Sequence, residues 1–518
     1  MPVAESRTYP DYYITKKNKI LVMMDLALIN WSRAQFALTA CYHWLFVPLT
    51  LGLAVVMAVM ETLYVVRKDD FWKQAAKFWM KLFGINFAIG VATGIILEFE
   101  FGTNFSNYSW FVGDIFGAPL AIEGIVAFFM EATFIAVMFF GWNKVGRGFH
   151  LASTWLTGLG ATLSAWWILV ANSWMQHPVG MTFNPETVRN EMTDFVALAF
   201  SHEAVVKFFH TVLSGWFTGA VFVVGVSCWF LLRGRHEHLS RASIRVAAVI
   251  GLVGGLGVMF TGDQSGIIVA RNQPMKLAMA EGLERGGTRA PFSIVPGVEV
   301  PGVLSVLATH DINGYVPGMT DLIEGYTTPD GQTHLSARQK MAYGRVALQA
   351  FSTFRNTPHT DVDKRQAARD TLEKYMPYFG YGYIQHPSEL VPDRLVPLVY
   401  WSFRVMVGAG MLLMLVLLLM LWFERREQLT SQRWLLYAGL WSIPLVYLAG
   451  QCGWIVAEVG RQPWAIQDLL PVSVSVSGVS SASVITTFCL FLVLFTVLLV
   501  AEVRILCRAI RKGPDMAD

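Results

Sequence analysis

The sequence predicts an all-α membrane protein, a polytopic bundle of about nine transmembrane helices. Of its 518 residues, 54% are hydrophobic and only 15% are charged, whereas soluble domains carry roughly 25% charged residues. So few charges cannot cover the surface of a soluble protein of this length. The composition also excludes a disordered chain and a collagen-like repeat. The net charge of +3 gives no reason to expect nucleic acid as a partner.

Nine apolar stretches justify this fold class, because each is long enough to cross a lipid bilayer, which takes about 20 residues. In chain order, the predicted spans 1 to 9 cover residues 34–62, 78–101, 114–141, 150–175, 204–232, 243–262, 395–423, 434–458 and 484–507. The chain then divides into an extension at 1–25, spans 1–6 within 26–262, a polar segment at 263–394, spans 7–9 within 395–512 and a tail at 513–518. We expect the extension to be unstructured and not a cleavable signal peptide, since the first 23 residues lack a bounded apolar core.

The distribution of Lys and Arg predicts the orientation in the membrane. Basic residues are concentrated in the loops after spans 1, 3, 5 and 7 and in the tail, whereas the loop 102–113 has none and 459–483 has only Arg461. Because basic loops stay in the cytoplasm, we expect a cytoplasmic C-terminus, with the N-terminus and the segment 263–394 outside. Residues 1–33 do not fit this orientation, since they carry five basic residues and yet are expected outside. Met24 offers a second start, so residues 1–23 are either an unstructured extension or not translated.

The polar segment between spans 6 and 7 is long enough to predict a function of its own. Residues 336–378 indicate one or two amphipathic helices, and the remainder reads as irregular. Lys276 and Glu281 are five positions apart, which on a helix rotates their side chains by roughly 140°. They are either solvated surface charges or groups that contact opposite sides of a ligand.

Two histidines lie inside apolar spans, His43 in span 1 and His210 in span 5. A lone histidine in a span is usually a hydrogen-bonded core residue, but two of them also suit haem ligation between facing helices. Met406 in span 7 is a possible thioether partner, or one more core methionine. Arg404 lies two residues earlier and needs a buried anion, which a haem propionate would supply.

Carboxylates inside the spans suggest a route for protons, because charged groups there are costly and usually functional. Glu123 and Glu131 in span 3 are rotated by about 80° and separated by about 12 Å along the helix. They can line one side of the span at two depths as a relay, or each can belong to a structural pair. Ser164 in span 4 would extend this polar track or serve only in packing, and Glu98 ends span 2.

The end of span 8 carries the segment GWIVAEVGRQPW, residues 453–464. It places Glu458 at the outer end of the span, followed by Arg461 and by Pro463, which ends the helix. Trp454 and Trp464 bracket it. An acid beside an arginine at an interface is usually a structural pair, although a carboxylate can also ligate a metal or organise a proton exit.

Three classes of protein compete at this stage. A transporter would explain the intramembrane carboxylates but not the histidines and the methionine, and an inverted-repeat fold would show matching halves. A haem-bearing membrane anchor of a dehydrogenase would use two histidines per haem and would need no large outer segment. The third class, a haem-based oxidase, is implied by the resemblance of five segments to a known family.

The residues themselves resemble one family. The segments FALTACYHWLFVPLTLG, GDIFGAPLAIEG, LVANSWMQHP, KFFHTVLSG and GWIVAEVGRQPW are similar to subunit I of the cytochrome bd-type quinol oxidases, and the resemblance runs from about residue 26 to the C-terminus. It implies a bacterial inner-membrane enzyme that oxidises ubiquinol or menaquinol at the outer face. It also implies reduction of O2 to water with cytoplasmic protons, which charges the membrane without a pump. A second large subunit and a very small accessory subunit are the partners expected from the family.

The resemblance also implies roles for individual residues. The family carries the haems b558, b595 and d in this subunit; His210 and Met406 match the b558 ligands, and Arg404 lies near that haem. His43 and Glu458 match the axial ligands of the other two haems without being assigned individually, and Trp454 and Arg461 are expected beside the haems. Glu123, Glu131, Ser164 and Glu98 match the proton path. Lys276, Glu281 and Asp263 match the quinol site in the outer segment, which this family calls the Q-loop. Gln264 departs from the pattern, since an acid is common at that position.

Overall fold

The computed structural model describes residues 26–514, and within this part of the chain nine helices are long and apolar enough to cross a membrane. They are Leu26–Arg67, Asp70–Thr103, Asp114–Phe140, Arg147–Gln176, Phe195–Leu232, Glu237–Asn272, Val396–Arg425, Arg433–Val459 and Ser481–Lys512, and they keep the names span 1 to span 9. The predicted all-α multi-pass bundle is confirmed. The expected extension at 1–25 and residues 515–518 of the tail lie outside the described residues.

Span 6 extends further than the sequence suggested. Its helix runs to Asn272, past the expected end at 262, so Asp263 lies on the helix and not in the segment that follows. The polar residues at 263–265 hide the fact that the apolar pattern resumes with Ile267 and Ile268, both of which are buried. The helix ends at Asn272 and Gln273 caps it, directly before Pro274 opens a new helix.

Two spans contain a π-helical turn, and each turn holds an acid that the sequence analysis singled out. Span 3 is π-helical over Glu123–Phe128, and span 8 is π-helical over Ile455–Val459, which includes Glu458. A π-helical turn accommodates an extra residue and is frequent at functional sites. The backbone is therefore irregular at both acids, although no signal in the sequence announces it.

Spans 1 and 5 cross at the centre of the bundle through glycines. A methyl group on Gly52 would lie 2.4 Å from the carbonyl oxygen of Gly215 and 2.5 Å from the Cα of Gly219. Gly215 and Gly219 form a GxxxG pattern, which lets two membrane helices approach backbone to backbone. This contact fixes the two helices that carry His43 and His210.

A methyl group at this crossing is expected to destabilise the bundle. Gly52→Ala or Gly219→Ala forces spans 1 and 5 apart, which we expect to lower the stability of the protein by about 1–3 kcal/mol. The measurement is the thermal unfolding midpoint of the purified complex. Gly148→Ala is the matched control, because the space around Gly148 is open. An unchanged midpoint in the Gly52 variant would contradict the close packing.

The segment between spans 6 and 7 is more regular than expected. Within 336–378, where one or two amphipathic helices were predicted, there are two, Ala337–Asn356 and Val362–Tyr375. The remainder was expected to be irregular but holds the helices Pro274–Glu281, Val303–Thr309 and Met319–Glu324 and the 3-10 helices Met376–Tyr383 and Pro387–Leu390. It also holds three antiparallel strand pairs, Gly287–Thr288 with Tyr315–Val316, Phe292–Val295 with Val298–Val300, and Tyr326–Thr327 with Thr333–His334. These strands are too short to show an alternating pattern in the sequence.

Shorter elements close the ends of the other spans. They are the helices Ser106–Val112 and Val472–Ser475, the 3-10 helix Leu429–Ser431, and the strand pairs Met181–Asn184 with Arg189–Met192 and Trp464–Ile466 with Leu470–Pro471. The last pair follows span 8 and contacts span 4. The backbone N–H of Gln467, between the two strands, donates to the backbone carbonyl of Met175 on span 4. The pair therefore closes the bundle on the side that holds Glu458.

Candidate functional site

Two histidines inside the bundle are held in the same way. The Nδ1 atom of His43 on span 1 lies 3.0 Å from the hydroxyl oxygen of Thr93 on span 2. The Nδ1 atom of His210 on span 5 lies 3.1 Å from the hydroxyl oxygen of Thr261 on span 6. Both rings are half-buried. Each imidazole is therefore oriented by the next helix in the chain, and its Nε2 atom lies on the other side of the ring.

These surroundings fit the axial ligands of haem iron. A histidine that binds a metal usually ties its second ring nitrogen to a neighbouring acceptor, and both His43 and His210 do so through Nδ1. Met406 supplies a thioether on span 7, with its Sδ atom turned towards Gly453 on span 8, where a methyl group would lie 3.2 Å away. Histidine and methionine are common haem ligands. The donor set expected from the sequence is therefore compatible with haem, and its ligation of iron remains a prediction.

Glu458 is the centre of a polar cluster at the end of span 8. Its Oε2 atom forms a 2.6 Å ion pair with Arg461, which confirms the structural pair considered from the sequence. Its Oε1 atom accepts hydrogen bonds from Asn172, at 3.0 Å, and from Gln176, at 3.1 Å, both on span 4. Lys207 on span 5 donates to Asn172 at 2.9 Å. The carboxylate is thus held from three sides, and a ligand role for it remains a prediction.

Lys276 extends this cluster towards the outer segment. Its side chain is only 4% exposed, which excludes the solvated-surface interpretation. The ammonium group donates to Gln176 on span 4 and, at 2.7 Å, to Gln273. Burial, followed by the nearby charge of Lys207, holds the pKa of Lys276 well below its usual range. Lys276 is thus a buried donor held between span 4 and Gln273.

Glu281 points away from that cluster, towards span 7. It is also 4% exposed, and its Oε2 atom lies 2.9 Å from the guanidinium of Arg404. Burial raises the pKa of Glu281 to about 7, although Arg404 acts in the opposite direction. The short helix Pro274–Glu281 thus places Lys276 in the polar cluster around Glu458. Glu281 pairs instead with Arg404 of span 7, which lies two residues before Met406. The two side chains contact different partners, as the roughly 140° rotation between them predicts.

Two other residues expected near this site make different contacts. Asp263 accepts a hydrogen bond from Gln264 at 3.1 Å and lies 3.2 Å from the ring of His310, so its contacts are not with Lys276 or Glu281. Trp454 packs edge-on against Trp44, the neighbour of His43, with ring centroids 5.0 Å apart. Trp454 therefore connects span 8 with the part of span 1 that carries the histidine.

The three acids of the expected proton path lie near one another. The hydroxyl of Ser164 on span 4 donates to Glu123 on span 3 at 2.6 Å. Glu131 of span 3 is buried against span 4, since a methyl group on Gly160 of span 4 would lie 2.6 Å from the Cγ atom of Glu131. Glu98 and Glu131 are both close enough for their charges to act on Glu123. Glu98, unlike the other two, is exposed on the surface of the bundle.

One face of span 4 contacts four acids at successive positions along the helix. This face was not predicted from the sequence. Nearest the start of the span, the Nδ1 atom of His150 and the hydroxyl of Thr154 each lie 2.6 Å from a carboxylate oxygen of Glu61 on span 1. The residues that contact acids along this face are His150, Thr154, Gly160, Ser164, Asn172 and Gln176. Three of the five gaps between them are four positions, so a search for small and polar residues at helical spacing would have revealed the face.

Comparison with known proteins places these residues in a family. The model for cytochrome bd terminal oxidase subunit I matches residues 31–514. The chain is 42% identical over 508 residues to cytochrome bd-II ubiquinol oxidase subunit 1 of Escherichia coli (strain K12), with 94% of this chain and 97% of that protein covered. It is 36% identical over 506 residues to cytochrome bd ubiquinol oxidase subunit 1 of Bacillus subtilis (strain 168), with 95% of each chain covered.

A solved structure has the same fold. The bd oxidase from Geobacillus thermodenitrificans matches with a TM-score of 0.75 at 22% sequence identity, covering 95% of this chain and 100% of that chain. The fold agrees with the nine-span bundle, and the family match extends over nearly all described residues. The chain therefore belongs to the cytochrome bd terminal oxidase subunit I family.

Proposed function

We propose that this chain is the haem-bearing, quinol-oxidising subunit of a cytochrome bd-type terminal oxidase. One observation carries the proposal: two intramembrane histidines, each with Nδ1 tied to a threonine, share the bundle with a buried Lys276–Glu281 helix. The similar proteins of Escherichia coli and Bacillus subtilis are ubiquinol oxidases by name, and a second Bacillus subtilis relative is a putative menaquinol oxidase. The substrates proposed here are accordingly ubiquinol or menaquinol, and O2.

Four side chains would hold the haems. His210 and Met406 are assigned to the low-spin haem b558, and His43 and Glu458 to haems b595 and d. When bound, the haems carry electrons from quinol to O2 and hold O2 during its reduction to water. Arg404 lies two residues before Met406, and Trp454 and Arg461 flank Glu458, so that these three side chains would border the haems.

The quinol site is assigned to the outer segment around Glu281. Oxidation of a quinol releases two electrons and two protons, and Glu281 is placed to accept a proton from a quinol hydroxyl. Arg404 holds this carboxylate in position at 2.9 Å. Lys276 would donate to the opposite oxygen of the ring. The protons then leave on the outer side of the membrane.

The pKa of Glu281 sets an expected pH dependence. Glu281 must be ionised to accept a proton, and burial raises its pKa to about 7. Quinol oxidation is therefore expected to slow as the pH falls below 7, approaching tenfold per pH unit well below the pKa. Glu281→Gln should be slow at every pH and lose this dependence, when measured as steady-state oxidation of a soluble quinol.

Two controls separate this effect from general damage. Glu284→Gln changes an exposed acid three residues away and should leave the pH profile unchanged. An artificial donor that reduces the haems directly should still support O2 consumption in Glu281→Gln. Equal loss of quinol and artificial-donor activity would contradict a role at the quinol.

The protons for O2 reduction are assigned to the route along span 4. Glu131 would receive a proton from the cytoplasmic side and pass it to Glu123, whose carboxylate accepts the hydroxyl of Ser164 at 2.6 Å. Glu98 lies within charge range of Glu123 and belongs to the same group. Because quinol protons leave on one side and these protons enter from the other, turnover charges the membrane without a pump.

The proposal includes an orientation and partners. The C-terminus faces the cytoplasm, and the N-terminus and the segment between spans 6 and 7 face outwards in the inner membrane, as the basic loops indicate. A second large subunit and a very small accessory subunit complete the complex. The exposure of Glu98 supports a covered surface on span 2, because lipid does not solvate a carboxylate.

An absorption spectrum of the purified complex tests the function. A b-type band together with a red chlorin band in the reduced protein is the expected result. A colourless protein would indicate an intramembrane-carboxylate transporter, and a b-type band alone would indicate the haem-bearing anchor of a dehydrogenase.

A further inference from the structure

The two histidines belong to a repeated unit. His43 lies on span 1 and its threonine partner on span 2, 50 residues later, while His210 lies on span 5 and its partner on span 6, 51 residues later. In both cases a glycine follows the threonine, so that the partner helix presents a Thr-Gly pair, Thr93-Gly94 or Thr261-Gly262. Each histidine therefore receives its partner from the second helix of an antiparallel hairpin.

The hydrogen bonds of the threonines determine which nitrogen carries the proton. Thr93 donates its hydroxyl hydrogen to the carbonyl of Gly90 at 2.9 Å, and Thr261 donates to the carbonyl of Gly257 at 2.8 Å. A carbonyl only accepts hydrogen bonds, and with its single hydrogen directed there each hydroxyl oxygen is left to accept from the imidazole. The proton of each neutral ring then resides on Nδ1, and the lone pair on Nε2 is available to a metal.

The glycines provide the space beside the rings. A methyl group on Gly94 would lie 3.0 Å from the Cε1 atom of His43, and a methyl group on Gly262 would lie 3.5 Å from the Cε1 atom of His210. The first distance is below ordinary van der Waals contact, whereas the second is acceptable. The unit on spans 1 and 2 is thus the tighter of the two.

The two units are related through the central helix crossing. Gly52 lies nine residues after His43, and Gly219 lies nine residues after His210. These two glycines contact each other, since a methyl group on either would lie 2.5 Å from the Cα of the other. Equivalent positions of spans 1 and 5 therefore meet at one point, as expected for an internal two-fold relation between the hairpins.

We propose that Thr93 and Thr261 are positioning residues, two copies of one device that holds each histidine in the tautomer whose Nε2 atom binds haem iron. The inference rests on the proposed haem ligation and adds the residues that orient the ligands. A neutral hydroxyl acceptor donates less charge to the imidazole than the carboxylate found behind many metal-bound histidines. The device therefore fixes the ring without making it strongly basic.

The test compares valine and serine at each threonine. Thr261→Val keeps the shape but removes the acceptor, and we expect roughly 10- to 100-fold weaker retention of the haem on His210, with a broadened low-spin spectrum and a shifted midpoint potential. Thr93→Val should change only the haem on His43. The serine variants should restore both signals. The readouts are haem content, the reduced-minus-oxidised spectrum and a redox titration of the purified complex.

Matched controls make the outcome decisive. Thr218→Val removes a hydroxyl on span 5 that bonds to its own helix at Ser214, and it should leave the spectra unchanged. Gly94→Ala should disturb the haem on His43, whereas Gly262→Ala should be tolerated. If a valine variant does not assemble, serine and alanine at the same position give the same comparison in a smaller side chain.

Two results would overturn the inference. Valine variants with unchanged haem content, spectrum and potential would show that the threonines do not position the ligands. Serine variants as defective as valine would assign the effect to packing of the threonine methyl. If His210→Ala itself retained the low-spin haem, the ligation would fail, and with it the proposed function rather than the role of Thr261 alone.

Discussion

Replacing His210 with alanine, or Met406 with leucine, is expected to abolish the low-spin haem and quinol oxidation together. His210 has its Nδ1 atom tied to Thr261, so Nε2 is the nitrogen left for iron, and leucine in place of Met406 keeps the volume but removes the sulfur. Losing the ligand itself should weaken haem binding by more than the roughly 10- to 100-fold expected when only the residue that orients the ligand is lost. The measurement is the low-spin band of the purified complex, followed by its quinol oxidase rate.

Two substitutions of the same residue types control for this experiment. His359→Ala changes an exposed histidine of the outer segment, and Met411→Leu changes a methionine of span 7 that is 61% exposed. Both should keep the band and the activity. A low-spin haem that survives in the His210 and Met406 variants would refute the ligand assignment.

Glu131→Gln is expected to slow O2 reduction by roughly 100-fold or more, the usual contribution of a proton-transfer group. Glutamine preserves the packing of this buried side chain against Gly160 but cannot carry a proton. Electron entry from quinol should stay normal, so reduced haem should accumulate. Rapid mixing of the reduced enzyme with O2 measures the step directly.

A second buried acid provides the control. Glu502 on span 9 is 2% exposed, and span 9 packs against spans 1 and 2. Glu502→Gln should therefore react with O2 at the normal rate. Normal kinetics in Glu131→Gln would make Glu131 a structural acid and would move the proton path elsewhere.

The sequence predicted the spans and most of the candidate groups because these features are local. An apolar stretch of about 20 residues and a histidine within it are visible without any knowledge of packing. The divergence of Lys276 and Glu281 also follows from helix geometry alone. The structure adds that both are buried, which depends on how the outer segment folds onto the spans.

The remaining features depend on the register between helices. Thr93 and Thr261 look like ordinary packing threonines until spans 2 and 6 are aligned with spans 1 and 5. His150 becomes the partner of Glu61 only when span 4 is packed on span 1. The extension of span 6 to Asn272 was hidden by the polar residues at 263–265, of which Asp263 contacts His310 of the outer segment.

Span 4 has a mechanical consequence for the whole bundle. Its one face contacts Glu61, Glu131, Glu123 and Glu458, which lie at successive depths. An axial shift of this helix by one residue, about 1.5 Å, would alter the surroundings of all four acids at once. A displacement of span 4 that begins at one end of the bundle would therefore reach the acids at the other end.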